Sequence, residues 1–247
     1  MFKFKRILII FILSFFVFIP NVSAKYVFSI DVSCDFQIDI QEQTDYMIYN
    51  LEDLLNFRNL QNNKIVNFKN KNIYLMNDID LSEYYTDEIQ SWIPIGSKDN
   101  PFEGNFNGNA HTISNLKIET TSNCQGFFGQ NNGDIRNFTI SGNIIANNCQ
   151  NIGGAVGINC GALNYIKNRV IISGTSTQVG GIAGTCIEGE IIRCKNFNNI
   201  AGNNYVGGIC GYSKNSYLYR CGNENNLEIT NIGNCTGGIV RIFWRKK

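Results

Sequence analysis

NIGGAVG at 151–157, QVGGIAG at 178–184, YVGGICG at 205–211 and CTGGIV at 235–240 are four versions of one phrase. A looser forerunner, CQGFFG, stands at 124–129. The second glycine of the doublet falls at Gly154, Gly181, Gly208 and Gly238, with Gly126 in the equivalent place, in steps of 28, 27, 27 and 30 residues. A period of that size, held over four steps, is the mark of a stacked repeat in which each unit buries its apolar face only against its neighbours.

The stretches between the phrases identify the unit. DIRNFTISG (134–142), YIKNRVIISG (165–174), EIIRCKNFNNIAG (190–202) and LYRCGNENNLEIT (218–230) alternate Ile, Val or Phe with polar residues and are flanked by Gly and Asn. That pattern predicts short strands, and the signatures of leucine-rich or helical repeats are missing. Two or three strands per period fit one coil of a parallel β-helix. The expected fold class is therefore all-β, a right-handed parallel β-helix of about 27-residue coils with a small helix-containing cap at its N-terminal end. Ile182, Ile209 and Ile239 should pile into apolar ladders, with Asn and Gly at the corners. The doublet itself is expected where the chain turns sharply or where two backbones approach too closely for side chains.

The N-terminal part reads differently. Lys3, Lys5 and Arg6 precede an apolar run over 7–19, then Pro20 and Val22-Ser23-Ala24, the order of an export leader with its cleavage site. The run is too short to span a bilayer, which sets an uncleaved anchor aside. Residues 25–43 alternate crudely and suggest one or two strands. NLEDLLNFRNL at 50–60 predicts a helix, with Asn50 as its cap, Glu52 and Asp53 in the first turn, and Leu51, Leu54, Leu55 and Phe57 as its apolar stripe. Ahead of a solenoid such a helix would shield the open edge of the first coil. The expected division is a leader at 1–24, a cap with the first strands at 25–95, coils at 96–240 and a basic tail at 241–247.

Composition limits the function. With 21 basic and 20 acidic residues, and four of the basic ones in the last seven positions, the body of the chain has no charge with which to capture nucleic acid. Nine cysteines without a C-x-x-C pair, and a single histidine, His111, give poor support to a zinc site. Cys194 and Cys221 close the similar phrases IIRC and LYRC and are expected to stack in adjacent coils as small apolar fillers; a bridge between them is the alternative. Asp78 and Asp80 in KNIYLMNDIDLS (71–82) lack the glycine and late glutamate of a calcium loop and read as turn residues. His111, with no candidate catalytic partner in the sequence, reads as a turn residue too.

DIDLS, W-x-PIG, PFEGNFNGNAHTISNLKI and GFFG-x-NNGDIRN, followed by GGIAG and GGICG, resemble bacterial surface proteins with GLUG-type repeats, over roughly residues 51–240. The resemblance implies a secreted or surface-displayed β-solenoid, often with an adhesin-like role; some members of that group also carry a metallopeptidase domain of the immunoglobulin A1 protease type. This chain has no H-E-x-x-H, so that activity does not carry over. The final GGIV is followed by Arg241 where the pattern has glycine, which leaves a truncated array or a remnant of a larger adhesin as an alternative.

The function expected is an exported binding or structural module without catalysis, cofactor or metal, meeting a glycan or a host or matrix surface and able to self-associate through its last coil. Tyr212, Tyr217 and Tyr219, in GYSKNSYLY at 211–219, are the candidate glycan contacts. A polysaccharide-degrading β-helix is the competing class. It needs clustered carboxylates, and Asp134, Glu188, Glu190, Glu224 and Glu228 share no repeat position, Glu188 and Glu190 being the best pair.

Overall fold

A computed structural model describes residues 43–224, 227–231, 233 and 235–244, which belong to one unit, Asp39–Lys247. The leader at 1–24, Cys34, all but the last residue of the 25–43 segment, and residues 245–247 lie outside the described residues. The chain is a parallel β-solenoid, and the register shows how it is wound. Its first sheet stacks Asp45–Ile48, Asn72–Leu75, Asn105–Asn107, Asp134–Arg136, Ala162–Asn164, Glu190–Ile192 and Tyr217–Tyr219, one strand from each of seven coils. Three further sheets run alongside it, and every strand pairing among the described residues is parallel.

The coils have three to five short strands each, against the expected two or three. The coil that starts at Gln150–Gly153 continues through Val156–Asn159, Ala162–Asn164 and Lys167–Gly174. The difference lies in the glycine phrase. It is not a corner between strands but strand, corner and strand together: Gln150–Gly153 and Val156–Asn159 belong to different sheets and leave Gly154 and Ala155 to make the bend. Ala155, Ile182 and Ile209 are buried at that bend and Ile239 packs against them, as the repeat pattern anticipated. Their backbone N–H groups donate in turn to the next coil: Ala155 to Ile182 O at 3.2 Å, Ile182 to Ile209 O at 2.9 Å and Ile209 to Ile239 O at 3.0 Å.

Close approach, not backbone handedness, explains the doublets. None of their glycines adopts a left-handed φ. A Cβ on Gly154 would lie 2.2 Å from Asn168 Oδ1 and 2.6 Å from Gly181 O, and one on Gly181 would lie 2.3 Å from Gly208 O and 2.7 Å from Asn196 Cγ. The asparagines that fill this space form a ladder inside the solenoid. Asn168 and Asn196 are fully buried and pair in register with Lys195–Asn196 and Gly222–Asn223 respectively. Asn168 Nδ2 donates to Asn196 Oδ1 at 2.8 Å and to Val170 O at 3.2 Å, while Val170 N donates back to Asn168 Oδ1 at 3.2 Å. Asn168 is thus satisfied by the next coil and by its own chain two residues on, and Asn196 by Asn168 and by Asn198, which offsets the cost of burying them, about 1–3 kcal/mol per unmet group. In another sheet, beyond the first one, Asn131 Nδ2 donates to Asn159 Oδ1 at 2.8 Å in the same manner.

The cap end is filled by aromatic rings. The helix Leu51–Asn62 begins where expected, with Asn50 Oδ1 accepting from Asp53 N at 3.0 Å and Asp53 Oδ2 accepting in return from Tyr49 N at 2.9 Å. Its inner face is Leu54, Phe57, Arg58 and Gln61, while Leu51 and Leu55 are only partly buried. Arg58 turns inward because its guanidinium lies over two rings, 4.9 Å from Tyr84 and 4.8 Å from Trp92, an attraction that partly replaces lost hydration. Phe57 packs edge-on to Phe68 and Phe102, and Phe102 and Phe106 are fully buried.

Gly181→Ala should lower stability by about 1–3 kcal/mol or more, as forced overpacking does. Gly222→Ala, where an added Cβ meets nothing within 4 Å, should change it by less than about 0.5 kcal/mol. Denaturant unfolding of the two variants beside the parent checks the pair.

Candidate binding surface

Two columns of four left-handed residues each run along the coils, beside a shorter one of Glu188 and Asn215. Asn137, Tyr165, Arg193 and Arg220 form one column, with φ of 61°, 55°, 54° and 52°. Cys124, Asn151, Gln178 and Tyr205 form the other, with φ of 60°, 63°, 56° and 55°. Tyrosine and arginine are poorly suited to this backbone, so the parallel stacking on either side must hold them there. Local strain of this kind gathers where side chains are put to use.

Beside the first column lies a face of rings and guanidinium groups. Tyr165 is 50% exposed, Tyr217 48% and Tyr219 42%. Tyr217 and Tyr219 alternate on one face of their strand, ring centroids 5.8 Å apart and planes within 14° of parallel. The Arg220 guanidinium sits 5.1 Å from the Tyr219 ring. Arg193 sits 5.2 Å from the Tyr165 ring and donates to its hydroxyl. The 211–219 stretch is mostly strand, Cys210–Lys214 and Tyr217–Tyr219. This separates Tyr212 from the other two tyrosines: it packs edge-on to Tyr205, centroids 6.2 Å apart. The contribution of Tyr165, Arg193 and Arg220 was hidden in the sequence, because nothing in a side chain marks a left-handed corner held by tertiary stacking.

Two of the acids do share a column, against the expectation from the sequence: Asp134 and Glu190 stand at one position two coils apart, with Ala162 between them. Glu190 stands between Ala162 and Tyr217 in its column, Glu188 occupies a left-handed corner with φ of 55°, and Asp134 pairs with Arg136 two residues away. Among the described residues no group of three or more His, Cys, Asp or Glu side chains is placed to hold a metal ion. Asp78 and Asp80 bond mainly to the next coil: Asp78 Oδ1 accepts from Thr112 N at 2.9 Å and meets His111 Nδ1 at 3.0 Å, and Asp80, in the strand Ile79–Asp80, accepts at Oδ1 from Asn115 Nδ2 at 2.7 Å and, locally, from Ser82 N at 2.8 Å. The backbone bond from Thr112, then that from His111, holds the Asp78 carboxyl below its usual value.

Cys194 and Cys221 stack in adjacent coils, as their matching phrases suggest. Cys221 Sγ lies 3.2 Å from Ile191 O and Cys194 Sγ 3.5 Å from Ile192 O. The Cys194 side chain, hydrogen-bonded to Cys221, leads in drawing the Cys221 thiol down to about 7, against the effect of burial. Burial drives Cys194 and Cys210 upward.

No protein-family model matches the chain. Over 109 residues, 43% of its length, it is 36% identical to a protein of Evansella cellulosilytica named as a Gly-rich membrane protein, covering 12% of that relative. Over 89 residues it is 36% identical to halomucin of Haloquadratum walsbyi, covering 1% of it. The chain therefore spans a small part of the length of either relative. A crystal structure from Bacteroides ovatus named as an immunoglobulin A1 protease aligns with a TM-score of 0.48 at 21% identity, over 81% of this chain and 83% of that one. Among the described residues no helix is long and apolar enough to cross a membrane.

Two titrations follow. Asp78, depressed in the folded state, adds stability that is complete above the ordinary aspartate range and is lost as pH falls through its lower folded value; carboxyl NMR should find it titrating below about 3.9. Iodoacetamide should modify Cys221 before Cys194 or Cys210, with a rate rising through pH about 7.

Proposed function

We propose that this chain is a non-catalytic, surface-displayed solenoid that binds glycans through its tyrosine–arginine face. The observation that carries the reading is the exposed, nearly parallel pair Tyr217–Tyr219 with Arg220 over one ring. Flat, accessible rings meet the apolar C–H face of a sugar while their hydroxyls and the guanidinium groups reach its oxygens. Arg193 and Tyr165 extend the same chemistry along the corner column, so weak contacts multiply along a repeating chain. Similarity to a Gly-rich membrane protein and to halomucin supports display at the cell surface, in keeping with the leader-like start of the sequence and its GLUG-like phrases.

The double variant Tyr217→Ala/Tyr219→Ala should bind oligosaccharides on a glycan array at least about tenfold more weakly, equal to about 1.4 kcal/mol, with unchanged thermal unfolding. Tyr49→Ala, an exposed tyrosine beside the cap helix, should bind as the parent does. Equal binding by parent and double variant would end the reading.

A further inference from the structure

A second surface feature is a cleft of about 600 Å³ between the 93–99 segment and the upper end of the other left-handed column. Its size is that of a small-molecule site. One wall is fixed by Asn62, whose Nδ2 donates to Pro94 O at 2.9 Å and whose Oδ1 accepts from Gly96 N at 2.8 Å. The opposite wall is fixed by Asn123, whose Oδ1 accepts from Gln150 N at 2.8 Å. Those amides are occupied in shaping the cleft.

Other lining groups are not. The side chains of Lys98, Asp99 and Gln150 make no hydrogen bond or ion pair among the described residues, and Gln125 uses its Nε2 on Asn123 O and leaves Oε1 open. Ile93, 57% exposed, gives the rim an apolar surface. A charged donor, a charged acceptor and amides of both kinds thus face one space. An anionic ligand would be repelled by Asp99 and a cationic one by Lys98. A hydroxyl both donates and accepts and satisfies every member of the set.

We propose that this cleft binds a neutral oligosaccharide, with Lys98 donating to hydroxyl oxygens, Asp99 accepting from hydroxyl protons, and Gln125 and Gln150 dividing the rest. Below the cleft the corner column continues through Gln178 to Tyr205, in steps of one coil, about 4.8 Å. That step is close to the length of one sugar ring, so a linear chain lying along the solenoid meets a new polar corner at each unit. The proposal rests on the glycan-binding reading and assigns it a second, chemically distinct site.

The test is chemical-shift mapping of the full chain with cellohexaose, maltohexaose and hexa-N-acetylchitohexaose, and with hexagalacturonate as the acidic comparator. A neutral hexasaccharide should shift the amide signals of Lys98, Asp99, Gln125 and Gln150. Lys98→Ala/Asp99→Ala and, separately, Gln150→Ala should each weaken that binding at least about fivefold, and Tyr217→Ala/Tyr219→Ala should leave the cleft shifts in place. These positions are exposed, so the variants should unfold as the parent does. Shifts confined to Tyr217, Tyr219 and Arg220 would overturn the cleft site while leaving the tyrosine–arginine face standing. Preference for hexagalacturonate at the cleft would also overturn it, and shifts at neither surface would overturn both readings.

Discussion

The contact on which the solenoid depends is the one between the second glycine of three successive doublets and the asparagine that faces it. Gly154 meets Asn168, Gly181 meets Asn196, and Gly208 meets Asn223. Removing the Cβ lets the backbone of the bend reach the middle of the cross-section. There it meets an amide whose burial is costly wherever a polar atom lacks a partner. Parallel stacking supplies the partner for Asn168, whose Nδ2 reaches Asn196 Oδ1 one coil away, while Asn223 Oδ1 at the end of the ladder is buried without a hydrogen-bond partner among the described residues. The bend, the ladder and the coil period are thus one constraint, and altering any of them exposes an unmet amide or a steric clash.

The asparagines also shape the gradient of the core. Near the cap the interior is wide and filled by Phe57, Phe68, Phe102, Phe106, Phe127 and Phe128. At the position where Ile79, Ile113 and Ile140 stack in the early coils, Asn168, Asn196 and Asn223 follow in the later ones. An apolar ladder would be indifferent to small axial slips; a hydrogen-bonded one is satisfied in one register. With the coils locked, the left-handed corners can hold tyrosine and arginine in conformations those residues seldom adopt, and the exposed face acquires a fixed spacing.

Much of this was legible in the sequence because repetition multiplies weak signals. One glycine doublet is uninformative, but four at near-constant spacing define coil length, strand character and the residues at Ile182 and Ile209 that point inward. The helix could be read from Asn50 and the first-turn acids, as its start is decided locally. What escaped reading is what depends on the partner coil. Asn168 and Asn196 resemble loop residues until a second asparagine is brought alongside, and Arg58 and Gln61 resemble the exposed side of a helix until the rings beneath them are in place. Phe102 and Phe106 were masked by the glycines and asparagines around them. The tyrosine pair at 217 and 219 was visible as a candidate, whereas its companions Tyr165, Arg193 and Arg220 share a face only after the chain has wound through whole coils.

The most direct test of the glycine–asparagine constraint is solvent exchange of the asparagine side-chain amides, followed by NMR. The Nδ2 protons of Asn168 and Asn196 should exchange slower by orders of magnitude than those of exposed Asn148, and should show cross-peaks to Val170 and Asn198. If they exchange as fast as those of Asn148, the ladder does not hold the coils together, and packing against buried amides is not what requires the glycine doublets.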